Sequence, residues 1–235
     1  MGEIDEYIKL NKRKCSVLTV GGFRPTCDLL ASNFALAPVA RSNEEWPTCD
    51  GKPLTYICQL NLTEAPYLPE QLKDIAVITF YIDLEKYLSG RNNENSWCLR
   101  VYKSLDGLVK LVPPKEAIKH KGFECRWEFY EEDYPVYDDP DLIRPSEMSD
   151  EEFDRIMEED FNNNVKRTKI GGWASNIQHE QWWGYNKHHA NPEFCMQINS
   201  EEKVHLNWVD SGTVYIARGT SKGHEEEWFI DIQFY

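Results

Sequence analysis

The chain lacks an apolar run approaching the ~18–20 residues a membrane-spanning helix needs. It has no Cys-x-x-Cys pair, and its seven cysteines, at positions 15, 27, 49, 58, 98, 125 and 195, are odd in number and scattered. That pattern argues against a disulfide framework or a zinc-finger site and for reduced thiols in the cytoplasm. The opening Met1-Gly-Glu-Ile-Asp-Glu6 has neither a basic segment nor an apolar core, so no secretory leader is expected. Glu6 stands where a myristoylation signal carries Ser or Thr. Basic residues are also scarce. Lys and Arg number 26 against 40 Asp and Glu, a net charge of −14 at pH 7. Such a balance disfavours nucleic acid and anionic membranes as partners and favours a basic protein.

The chain does have the material for a core. Its 235 residues, 13% aromatic with eight Trp, are expected to fold as a single domain over 1–235.

Its acid is concentrated. Between Glu124 and Asp160 there are 16 acidic residues against Arg126, Arg144 and Arg155, a net −13. Trp127, Phe129, Tyr130, Tyr134 and Tyr137 are interleaved with them. Phe123, Cys125, Trp127 and Phe129 alternate with polar residues and predict a strand. Pro135 and Pro140 predict an extended loop around Tyr137. Ser149-Asp-Glu-Glu152 is a capping box, and Phe153, Ile156, Met157 and Phe161 at helical spacing predict the helix it starts.

Elsewhere the periodicity is that of strands. A short helix is expected over 3–12, then strands at 16–20, 54–62, 75–82 and 97–102. A second series follows at 193–199, 204–208, 212–216 and 228–235. Landmarks recur at nearly one offset: Phe34 and Ile170 by 136, Gln59 and Gln197 by 138, Tyr81 and Tyr215 by 134, Trp97 and Trp228 by 131. This predicts an internal duplication, with halves at about 30–104 and 165–235 joined by an acidic strand-loop-helix connection over 105–164. The fold class is then α+β, predominantly β.

Three segments carry a family resemblance: Trp46-Pro-Thr-Cys-Asp-Gly-Lys-Pro-Leu54, Gln59-Leu-Asn-Leu62 and Lys169-Ile-Gly-Gly-Trp-Ala-Ser-Asn-Ile-Gln178. With Gln197-Ile-Asn199 and Trp208-Val-Asp-Ser-Gly212, they resemble the YwqG-like family of bacterial proteins over about residues 30–235. The chain departs from the family pattern at Ala35-Leu36, where a Gly-Gly is usual, and at Ala174, where a Pro is usual. The resemblance implies a duplicated β-rich fold. Some relatives neighbour secreted toxins, and a type VI secretion immunity protein that blocks a DNase toxin is similar.

Charge and resemblance together give the leading expectation. It is a cytoplasmic, non-enzymatic immunity protein that occludes a basic nuclease toxin, using carboxylates and aromatic anchors. The expected docking residues are Glu131, Glu132, Asp133, Tyr134, Tyr137, Asp138 and Asp139. A second interface candidate is Trp182, Trp183 and Tyr185. The alternative is a small-molecule-binding or enzymatic protein with a cleft between the halves near Gly171, Trp173 and Gln197. No catalytic residue, cofactor or metal is predicted. His179, His188 and His189 fit no metal motif, and Cys49-Asp50 has no paired His. Lys169-Ile-Gly-Gly-Trp173 reads as a tight turn rather than an anion cradle. Gln59 and Gln197 read as side chains that satisfy backbone groups within the sheet.

Overall fold

The computed structural model describes residues 3–90, 95–137, 139–158 and 163–235. Helix α1 (Glu3–Asn11) leads into strand β1 (Arg13–Val20). Short strands β2 (Asn33–Phe34), β3 (Val39–Arg41), β4 (Thr48–Cys49) and β5 (Lys52–Pro53) precede the long β6 (Thr55–Asn61). Then come β7 (Val77–Ile82), α2 (Leu84–Leu88), β8 (Trp97–Tyr102), β9 (Leu108–Lys110) and β10 (Phe123–Asp133). The remainder is α3 (Asp150–Glu158), β11 (Lys169–Gly171), α4 (Trp182–Tyr185), β12 (Pro192–Asn199), β13 (Thr213–Gly219) and β14 (Trp228–Gln233). Among the described residues, no helix is long and apolar enough to cross a membrane.

Ten strands form one antiparallel, nearly closed sheet in the order β14-β13-β12-β11-β1-β10-β2-β6-β7-β8. β1 and β10 lie in the middle, with four strands outside each of them. Equivalent hydrogen bonds flank that centre. The Ser32 carbonyl accepts from Cys125 N–H, and the Thr168 carbonyl accepts from Leu18 N–H. Ser32 Oγ accepts from Asn61 N–H at 2.9 Å, and Thr168 Oγ1 accepts from Asn199 N–H at 3.0 Å. Gln59 Oε1 accepts from Val39 N–H, and Gln197 Oε1 from Ser175 N–H. Both glutamines are fully buried, and they satisfy backbone donors as their positions predict.

The alternation of each strand decides which side chains meet inside. Ile78, Phe80 and Ile82 of β7 face the same core as Val214 and Ile216 of β13 and Ile230 and Ile232 of β14. The curled sheet brings its two arms together there. Phe80 and Trp208 have ring centroids 6.5 Å apart, and Tyr87 donates to the Ile230 carbonyl across the gap. On the outer face, Tyr56 and Tyr81 lie under Trp46 and Cys49, and Tyr215 and Ala217 lie under Ala174 and Trp183.

Two expectations are corrected. Residues 204–208 are not a strand. Residues 202–204 form a 3₁₀ turn, His205 is left-handed at φ 57°, and only an isolated bridge joins Glu201 to Leu206. The acidic stretch does not begin outside the sheet as a connection. Its first ten residues lie in β10, a central strand that pairs with β1 on one side and β2 on the other. Strand β10 also runs further than its apolar alternation suggests, to Asp133. Helix α3 matches expectation: Ser149 Oγ accepts from Glu152 N–H and donates to Glu152 Oε2, and Phe153 and Ile156 are buried against Tyr7 of α1. Phe161 lies outside the described residues.

Candidate functional site

The end of β10 meets the start of β11 around one buried carboxylate. Asp133 Oδ2 accepts from Lys169 Nζ at 2.7 Å and from Trp173 N–H at 2.7 Å, while Oδ1 accepts from Val165 N–H at 2.6 Å. Asp133 and Lys169 are both fully buried. Burial lowers the Lys169 pKa, and the charge and hydrogen bond of Asp133 oppose that shift. The Gly171-Gly172 step serves this arrangement. Both residues have positive φ, at 71° and 69°, and a Cβ on Gly172 would collide with Asp133 Oδ2. A Cβ on Gly171 would lie 2.7 Å from Tyr67 Cε1. One backbone N–H of this turn, that of Trp173, does hold an anion, and the anion is the chain's own Asp133, while the Gly172 N–H donates to the Lys14 carbonyl.

Beyond this knot lies an open cleft of about 550 Å³, within the range of small-ligand sites. Gly171, Gly172 and Trp173 form its floor with Tyr67. The Trp173 indole N–H donates to the Asn11 carbonyl at 2.6 Å, which fixes the ring. The Arg13 guanidinium stacks on that ring, 3.3 Å from its centroid. Four carboxylates line the cleft, from Asp139, Asp141, Glu180 and Glu193, against the single cation of Arg13. Burial raises the Asp139 carboxyl to about 6, with Asp141 and Glu180 adding repulsion and Arg13 opposing it. The Asp141 N–H donates to Asp139 Oδ1 at 3.0 Å, so the two acids share one turn.

The predicted docking residues separate into different environments. Glu131 and Glu132 are exposed at the end of β10, in open ion pairs with Lys14 at 3.3 Å and Lys12 at 3.5 Å. Tyr137 is 57% exposed, with its ring against Phe153. Asp139 lines the cleft. Asp133 and Tyr134 are corrections: each is buried, the first in the Lys169 pair and the second stacked on Tyr7. Neither can present itself to a partner. Asp138 lies outside the described residues. The second candidate surface is also corrected. Trp183 is buried on the outer face of β13, and Trp182 packs on Phe229 while donating its indole N–H to the Ile230 carbonyl at 3.0 Å. The side chain of Tyr185 lies outside the described residues. Sequence reasoning placed Gly171 and Trp173 at a cleft, and the structure does so too. Gln197 does not line it, being committed to Ser175 and Arg167.

A family model described as a domain of unknown function, DUF1963, matches residues 32–218. The chain belongs to the DUF1963 family. A comparison with curated proteins finds no match. The DUF1963 match contains the whole acidic stretch, the Asp133–Lys169 pair and the floor of the cleft. It does not extend to β1 or β14, yet β1 is central to the sheet and supplies Arg13. Residues before the DUF1963 match therefore complete the cleft. Arg13 and Glu193, 180 positions apart, could be brought together from sequence only by knowing that β11 pairs with β1 on one side and β12 on the other. Elsewhere, His189, His224 and Glu227 place a ligand atom each within 4.8 Å of one another.

Proposed function

We propose that this protein binds a basic partner protein and acts as a cytoplasmic immunity protein against a secreted nuclease toxin, in the manner of YwqG-like immunity proteins. The observation that carries this reading is the cleft in which four carboxylates outnumber one guanidinium. A Lys- or Arg-rich loop of a nuclease, exposed where it binds phosphate, has the charge to enter it. Asp139 belongs both to the cleft and to the acidic stretch, and Glu131, Glu132 and Tyr137 of the same stretch are exposed. No reaction is needed: such a protein works by occupying the active site of its target. The test is to identify any toxin gene beside this one and to measure nuclease inhibition and calorimetric binding with its product. One-to-one inhibition supports the proposal, and absence of binding at micromolar protein sinks it.

The fold reading belongs to the same proposal. We infer that the chain is an internal duplication in which β1 to β8 and β10 to β14 are the repeats. The bond from Asn61 N–H to Ser32 matches that from Asn199 N–H to Thr168, and the bond from Val39 N–H to Gln59 matches that from Ser175 N–H to Gln197, which supports it.

A second reading is favoured by one observation. A carboxyl raised to about 6 within a cleft is a usual feature of sites that handle protons. A small cationic ligand would then replace the partner loop. Screening of amines and basic amino acids by thermal shift separates the two readings, because a small ligand would stabilise the protein without any toxin present.

A further inference from the structure

The turns that carry His189 and His224 are bound to one another. Thr220 and Ser221 N–H both donate to the Ala190 carbonyl, at 2.9 and 3.0 Å. Asn191 Nδ2 donates to Thr220 Oγ1 at 2.8 Å, and Gly219 N–H donates to the Glu227 carbonyl at 2.9 Å. These bonds fix the backbones from which three side chains converge. His224 Nδ1 lies 2.6 Å from Glu227 Oε1, and the His189 and His224 rings are 4.9 Å apart. His188 braces the group from behind. Its ring lies 4.2 Å from that of His189 and 4.8 Å from Phe229, and its Nδ1 accepts from Ala190 N–H.

We propose that His189, His224 and Glu227 bind a divalent transition-metal ion of the zinc class. Two imidazoles and a carboxylate are a donor set that suits zinc, cobalt or nickel, whereas calcium and magnesium call for oxygen alone. The spacing is close to what binding needs. Bonds of about 2.0–2.2 Å in a tetrahedron put ligand atoms roughly 3.3–3.6 Å apart. The three atoms already lie within 4.8 Å, and His189 is exposed on the surface. Three protein ligands leave a fourth position for water or for a donor from a bound protein. In sequence the ligands are 35 and three residues apart, a spacing that matches no zinc motif.

The experiment is calorimetric titration of the metal-free, full-length protein with zinc chloride, repeated with cobalt chloride and read by visible absorption. The expected result is one zinc per chain, weakened at least tenfold in His224→Ala and in His189→Ala. Tetrahedral cobalt bands should be lost in the same variants. Glu227→Gln keeps a hydrogen-bonding side chain and should weaken zinc without disturbing the fold, checked by circular dichroism. Cys27→Ser, which removes the exposed thiol, should leave binding unchanged. Equal zinc affinity in wild type and the His189→Ala/His224→Ala double variant overturns the proposal. So does loss of binding in Cys27→Ser alone, or a wild type that takes up no zinc.

Discussion

Lys169 Nζ and Asp133 Oδ2 meet at 2.7 Å with both side chains fully buried. The pair joins the end of β10 to the start of β11, two strands separated in the sheet by β1. Removing one partner leaves the other charge uncompensated in the interior. Lys169→Met and Asp133→Asn should each destabilise the fold by about 3–5 kcal/mol, measured by urea denaturation. The double replacement should cost less than the sum of the two. Additive losses would show that the pair is not a unit.

Gly172→Ala tests the same knot from the backbone side. The new methyl meets the Asp133 carboxylate, at a φ of 69° that side chains rarely adopt. We expect a loss of several kcal/mol, well above the roughly 1 kcal/mol of an ordinary substitution, and a lower Tm. Gly22, also at positive φ but with open space around it, is the comparison site.

Asp139 should give the cleft a pH response. Its folded carboxyl titrates at about 6, above the ordinary range. A raised carboxyl stabilises the fold fully below its unfolded pKa, and that contribution is lost as pH rises through about 6. The charge acts in the opposite sense on binding. A cationic partner should bind more weakly as pH falls from 7 to 5, while Asp139→Asn flattens both responses. Carbon-detected NMR titration of the carboxyl reads the first effect, and calorimetry against pH the second.

Charge reversal on the exposed carboxylates should change rates rather than stability. Glu131→Lys, Glu132→Lys and Asp141→Lys together should slow association with a basic partner and flatten its salt dependence. The ion pairs lost with Lys14 and Lys12 are half exposed, each worth about 0–1 kcal/mol. Stopped-flow association at two salt concentrations decides this. An unchanged rate places the docking face elsewhere.

Trp183→Ala serves as the contrasting case. This ring is 4% exposed and packs on β13, so its removal should cost about 3–5 kcal/mol, measured by urea denaturation.

The strands were legible because alternation and β-branched runs report local burial, as in Ile78, Phe80 and Ile82. Gln59 and Gln197 were legible because a polar side chain in a buried strand must be satisfied. Asp133 was not. One carboxylate in an acidic run looks like its neighbours, and its burial depends on Lys169, 36 positions away. The central position of β10 was hidden for a related reason: its pairing with β1 spans more than a hundred residues and leaves no local mark. The same holds for Arg13 in the cleft and for His224 and Glu227 beside His189. Trp182 and Trp183 misled because adjacent aromatics do not say which side of a strand will cover them.

The placement of β1 governs when this protein can fold during synthesis. Both neighbours of β1 in the sheet come late, β10 after more than a hundred residues and β11 later still. At about 5–20 residues per second, the ribosome leaves β1 without a partner for roughly 6–24 s. During that interval its buried face of Cys15, Val17 and other apolar side chains is open to chaperones or to another nascent chain. The central seam of the sheet therefore closes only once β10 has been made, more than a hundred residues after β1, so the contact that joins its two arms is a late one.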